Sequence, residues 1–208
     1  MSKTLLRSLF IPALALLLVG GGCAGVPQRV DLLYQPAAKA TGGSGSIYLA
    51  LAPEQGPAPT IPGQWVIGES VTKNGEKNGF IVTHISPGTM VLDAFSQELR
   101  RAGYQPLPVK ELPAGVEKGL LITGSVIRLD ATTSTLMAEV TSRVKVSVEP
   151  WRNGKAVSRL HFESVLTDSA ASDRDRLPVD MLQKGLQTVM ASAVPDVVTA
   201  LEKKEGAH

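Results

Sequence analysis

The stretch STLMAEVTSRVKVSVEPW, residues 134–151, alternates with a period of two. Val140, Ser142, Val144, Val146 and Val148 fall on one side, and Arg143, Lys145, Ser147 and Glu149 on the other. Successive side chains of a strand point to opposite faces, so the pattern dictates a strand with one buried and one solvated face. A strand of this kind belongs in a sheet open to water on one side, the habit of antiparallel sheets. Asn153-Gly154 follows at once. Asn-Gly is the strongest short-range hairpin signal, because a type I′ turn needs positive φ at both central residues. The return, KAVSRLHFESVLT, alternates too, with Leu160, Phe162 and Leu166 opposite Arg159, His161 and Glu163.

The other elements must fit around that sheet. GLLITGSVIRLD (119–130) reads as a further strand, and SIYLALA (46–52), apolar on both faces, as a buried central one. WVIGESV and GFIVTHI read as a hairpin joined through Asn74-Gly75. Ser86 and Pro87 open a helix over 86–104, with Val91, Phe95, Leu99 and Ala102 on one face and Gly103 at its end. Prolines and glycines break the chain over 53–63, and three prolines make 105–118 a connecting loop. From Leu177 a long amphipathic helix buries Leu182, Leu186, Val189, Met190, Ala193, Val197 and Leu201, with Pro195 expected to kink or restart it. Two helices with one apolar stripe each, and one sheet, predict an α+β fold. The expected form is a two-layer sandwich, a mostly antiparallel sheet with both helices on one face, as a single domain over 46–204.

The N-terminus says where the chain works. Lys3 and Arg7 precede an apolar run from Leu9 to Val19, then three glycines, then Cys23, the only cysteine among 208 residues. The run is too short for the ~20 residues that span a bilayer, and the series is that of a secretory signal peptide over 1–22. Small residues running into a cysteine resemble the lipobox of bacterial lipoproteins, in which the thiol takes a diacylglycerol and becomes the first residue. Gly22 fits that pattern, while Gly20 stands where it usually carries Leu. The resemblance implies lipid attachment at Cys23. Ala24, rather than Asp, implies passage to the outer membrane, periplasmic side. Residues 23–45, rich in Gly, Ala and Pro, read as a flexible tether, with VDLLY (30–34) able to dock on the domain. Without residues 1–22 the chain carries 19 basic and 19 acidic residues. That balance leaves no excess to neutralise phosphates, so no nucleic-acid partner is expected.

Several stretches carry a further likeness. VIGESVTKNGEKNGFIVTHISPGTMVLDAFSQELRRAGYQP, GLLITGSVIRLDA, the strands around RNGKA and the closing helix together resemble the YajG-type family of bacterial lipoproteins, over roughly 47–201. The resemblance implies an envelope lipoprotein without an assigned reaction and transfers no site residue except the acylated cysteine, Cys23.

Chemistry-bearing motifs are sparse. His84 and His161 fall on different predicted strands, and His208 is the last residue. No metal-ligand spacing, nucleophile elbow or phosphate loop is present, so no catalytic residue, metal or cofactor is expected. Asp173 and Asp175 read as solvation of a turn before the last helix. The basic side chains Arg143, Lys145 and Arg159 are the candidate partner face, against the plainer reading of a solvated sheet face with Glu149 and Glu163 interleaved. The expected function is a non-enzymatic binding or scaffolding module for an envelope protein. The alternatives are a carrier of a lipid or other apolar molecule, and an auxiliary component of an envelope transport system.

Overall fold

The computed structural model describes residues 27–53 and 61–203. The expected signal peptide, Cys23, the start of the expected tether, the proline-rich 54–60, Lys204 and His208 lie outside the described residues. In chain order the elements are β1 (Gln28–Arg29), β2 (Ser46–Leu51), β3 (Trp65–Thr72), β4 (Lys77–Thr83), α1 (Pro87–Ala102), β5 (Gln105–Val109), β6 (Lys118–Thr133), β7 (Ala138–Arg152), β8 (Lys155–Ala156), β9 (Leu160–Ala170) and α2 (Leu177–Glu202).

The fold is α+β, and β6 is its spine. One edge of β6 pairs with β7 along its whole length, from Lys118↔Arg152 to Thr133↔Ala138. The other edge is shared end to end. The first part pairs with β2 (Tyr48↔Gly119 to Leu51↔Ile122), the last part with β3 (Gly68↔Leu129 to Thr72↔Thr133), both parallel. From there β2 leads out to β5, while β3 leads to β4 and then β1. On the far side β7 carries β8 and β9. The sheet is therefore mixed: β1–β4, β2–β5, β2–β6 and β3–β6 are parallel, where a mostly antiparallel sheet was expected. Alternation along a strand fixes which side is buried and says nothing about its neighbour's direction.

Local chemistry explains the element ends. Ser86 Oγ accepts the Thr89 N–H at 3.2 Å and caps α1. Past its end, Gly103 takes φ 110°, and the Gly103 and Tyr104 N–H groups donate to Arg100 O and Leu99 O. Asn153 (φ 51°) and Gly154 (φ 74°) turn β7 into β8 as their sequence demands. The last helix runs through Pro195 without restarting, and Thr199 Oγ donates to the Pro195 carbonyl at 2.9 Å.

The core fills between this sheet and the two helices. Val140, Ser142, Val144, Val146 and Val148 of β7 are all buried, together with Leu120, Ile122 and Leu129 of β6. Against them lie Phe95 and Leu99 of α1, and all seven residues expected on the α2 stripe. Close approach is built in. A Cβ on Gly185 would sit 2.7 Å from Ser142 Oγ and 3.0 Å from a Val144 methyl. A Cβ on Gly68 would overlap Leu129 O at 1.6 Å. Next to Gly68, a register shift against β4 sends Ile67 into the core and leaves Val66 exposed.

Two sequence expectations are corrected. The span 105–118 is not all loop, because Gln105–Val109 forms β5, parallel to β2. The Gln105 N–H donates inward to Gly45 O. Neighbouring residues of a strand direct their N–H groups to opposite edges, so Pro106 and Pro108 occupy the outward positions, where no strand follows. Nor is the described part of 23–45 a flexible tether, although VDLLY docks on the domain as its sequence allowed. Val30 (0 % exposed), Tyr34 (4 %) and Ala38 (5 %) are buried, and β1 pairs with β4. The residues that read as linker lay their few apolar side chains, every fourth one, against the domain.

Candidate functional site

The exposed positions of β6, β7 and β9 form one continuous surface. Directly paired residues of adjacent strands share a face, so the register reads it out. Val126 pairs with Lys145, and Lys145 with Glu163; Arg128 pairs with Arg143, and Arg143 with Val165. One step along, Asp130 pairs with Thr141, and Thr141 with Thr167. Across β3, Asp130 pairs with Glu69 and Glu69 with Phe80. Arg143 and Lys145 thus stand on this surface as the alternation predicted.

Each candidate basic residue has an acidic partner. Lys145 Nζ lies 3.1 Å from Glu163, and Arg143 Nε 3.9 Å from the same carboxylate. Arg159 donates to Glu149 Oε1 from Nε (2.8 Å) and Nη2 (2.5 Å). Arg128 and Asp130 form a further pair at 2.9 Å. The Arg128, Arg143 and Lys145 pairs are solvated and contribute ~0–1 kcal/mol each, so a partner can exchange them at small cost, whereas Glu149 beneath Arg159 is only 13 % exposed. Among them stand apolar side chains at unusual exposure: Val66 (57 %), Phe80 (47 %), Val126 (52 %) and Val165 (50 %). Val66 and Val126 line a shallow groove with Glu69 and Arg128.

The two strand histidines are not brought together. His84, just past β4, shares a hydrogen bond with Gly63 O (2.8 Å), and His161 of β9 one with Ser147 Oγ (2.8 Å). Four strand-to-strand steps separate β4 from β9, roughly 19 Å. Sequence reading placed Ser147 and His161 on one side and did not foresee their bond, which needs the β7–β9 register. Among the described residues, no group of three or more His, Cys, Asp or Glu side chains is placed to hold a metal ion.

Two carboxylate contacts, one buried and one part-buried, were invisible in the sequence. Glu98 of α1 is 1 % exposed. Its Oε1 accepts the Tyr34 hydroxyl (2.7 Å) and the Ala37 and Ala38 N–H groups (2.6 and 3.0 Å), so one carboxylate latches the N-terminal strap. Burial, then the bond to Glu98, pushes the Tyr34 hydroxyl well above its ordinary pKa. The second contact joins Tyr104, Lys118 and Glu202. Glu202 Oε1 accepts from Tyr104 Oη and Lys118 Nζ, both at 2.7 Å. Burial alone pushes the Glu202 carboxyl up, but the bonds from Lys118 and Tyr104 outweigh it and hold it below the usual carboxylate range. The one signal for the strap was its spacing: Val30, Tyr34 and Ala38 recur every four residues, as do Met90, Ala94 and Glu98 beneath.

No protein-family model and no curated protein matches this sequence. Among solved structures, the chain is similar to a Xanthomonas campestris protein of the DUF330 family, with TM-score 0.50 and 11% identity over 84% of this chain and 96% of that one. It is also similar to a putative neuraminyllactose-binding hemagglutinin homolog from Helicobacter pylori, with TM-score 0.45 and 11% identity over 84% and 93%. The first likeness is one of fold.

Proposed function

We propose that this protein is a lipid-anchored envelope lipoprotein of the YajG type, held through Cys23 at the periplasmic side of the bacterial outer membrane. On this reading it is a non-enzymatic binding module that presents the exposed side of β6, β7 and β9 to an envelope protein partner. We read its architecture as two layers, both helices on the buried side of the sheet. The observation that carries the binding reading is that exposed side itself. Exchangeable ion pairs at Arg143 and Lys145, and the exposed Arg159 above Glu149, interleave with the exposed Val66, Phe80, Val126 and Val165. Apolar centres among polar groups that can re-pair are the composition of protein interfaces. The basic, apolar and small-residue series ending at Cys23 supports the anchor.

The Ser147–His161 bond does not displace this reading. A serine nucleophile needs a base oriented by a third group and donors for an oxyanion. Here both residues sit on paired strands, with Ser147 between Gly124 and His161 in the ladder, so the backbone around them is engaged in the sheet.

The test is cross-linking in the native envelope, comparing the protein with a triple charge reversal, Arg143→Glu, Lys145→Glu and Arg159→Glu. The reversal should abolish capture of the partner while changing stability by only ~0.5 kcal/mol per site. Unchanged capture by the triple variant would rule this surface out.

A further inference from the structure

We propose that the β6–β7 hairpin tip is a membrane-contact wedge, resting on the acylation of Cys23 proposed above. The tip is unusually well held for a turn. Ser134 N–H donates to Met137 O at 2.8 Å, and the Ser134 hydroxyl both donates to Met137 O and accepts Met137 N–H at 3.0 Å. From the loop before α2, Arg174 reaches across and donates to Ser134 O (3.1 Å) and Thr135 O (3.0 Å). Yet this fixed turn holds out two large apolar side chains, Leu136 at 77 % exposure and Met137 at 48 %. Ordering a turn this firmly to present apolar groups to water is unfavourable without an apolar phase to receive them.

The position of the N-terminus says which phase. Gln28 and Arg29 line the same cleft as Thr133 and Ala138, the feet of the hairpin, and Arg174, its clamp. The chain therefore reaches the domain beside the tip. Five residue steps separate Cys23 from Gln28, at most roughly 17 Å even fully extended. The tip projects two residue steps beyond Thr133, roughly 7 Å. So short a leash keeps the tip within reach of the leaflet that holds the acyl chains, and confinement makes even a weak insertion effective. The surroundings mix both signs, with Lys73, Lys77 and Arg174 near Glu76, Asp173 and Asp175. The occupant this fits is a zwitterionic phospholipid surface, entered by apolar side chains and not by charge attraction.

The experiment uses the full mature lipoprotein in vesicles of phosphatidylcholine and phosphatidylethanolamine. Acylation blocks Cys23, so Thr135→Cys supplies one free thiol for an environment-sensitive fluorophore. Labels at Lys155→Cys, in β8 beyond the turn at the opposite end of β7, and at Leu33→Cys, on the exposed strap, serve as comparisons. The 135 label should shift to the blue and lose most of its emission to shallow spin-labelled lipids, at low and high salt alike, while the 155 label stays unquenched. Leu136→Ser with Met137→Ser should remove the shift and leave the protein on the vesicles. An unquenched 135 label on vesicle-bound protein overturns the wedge and leaves the anchor standing, as does quenching at 33 in its place. Protein that fails to float with vesicles and carries no acyl mass overturns the anchor, and the wedge with it.

Discussion

Val144 and Lys145 are neighbours on β7 and live in different worlds. Val144 is wholly buried, whereas half of the Lys145 side chain is in water beside Glu163. The two sides of the strand are built by different rules. On the buried side, contact is tight enough that Gly185 admits no side chain without moving Ser142 or Val144. On the exposed side, cations and carboxylates pair loosely among isolated valines. Shape governs the first, and exchangeable charge the second. Substitution tolerance should separate them sharply.

The largest contrast lies within β6. Leu129→Ala, at a fully buried position, should cost ~2–5 kcal/mol, while Val126→Ala on the exposed side should stay within ~0.5 kcal/mol. Urea unfolding of both variants measures the gap, and equal losses would erase the distinction between the sides. A medium effect is expected where a hydrogen-bonded carboxyl lies on the buried side. Glu98→Ala removes the acceptor for Tyr34, Ala37 and Ala38, and should cost ~1–3 kcal/mol. It should also open residues 30–45 to protease, which limited digestion with mass analysis would reveal. Arg143→Ala should leave that digestion pattern unchanged. The smallest effect is a pH dependence. The Glu202 carboxyl is held below its ordinary value in the folded state. Its contribution is therefore present above the unfolded pKa, near 4.5, and is lost as pH falls through the lower folded value. Glu202→Gln should flatten the acid limb of stability against pH by under ~1 kcal/mol, with near-neutral stability lowered by a similar amount. A variant whose acid limb keeps the wild-type slope would show that Glu202 is not its source.

What the sequence disclosed and what it hid follow the same division. The sidedness of β7 and β9 was legible because period-two patterning is local. So were the ends of α1, where Ser86, Pro87 and Gly103 act within one turn. The Asn153-Gly154 turn was legible for the same reason. Pairing partners were not: the sharing of one β6 edge by β2 and β3 depends on contacts across more than 50 residues. The strap was half legible: VDLLY read as able to dock, as Val30 and Tyr34 do, but the linker-like composition of 23–45 made the rest read as a flexible tether. Glu98 was hidden for the opposite reason. A glutamate on a helix reads as solvated until the segment that covers it is known. The candidate basic side chains were found by alternation, but their pairing with Glu163 and Glu149 required the β7–β9 register.

The prolines of β5 have a consequence for how copies of this molecule meet. A sheet edge grows, into a dimer or a fibril, by offering N–H groups that a newcomer's carbonyls can accept. At this edge the outward positions within 105–109 are Pro106 and Pro108, which have no N–H to offer. A second chain arriving there meets acceptors and pyrrolidine rings, and the ladder cannot extend. Were the proposed lipid at Cys23 to crowd copies onto one membrane surface, such an edge would favour their remaining separate molecules on this side of the sheet.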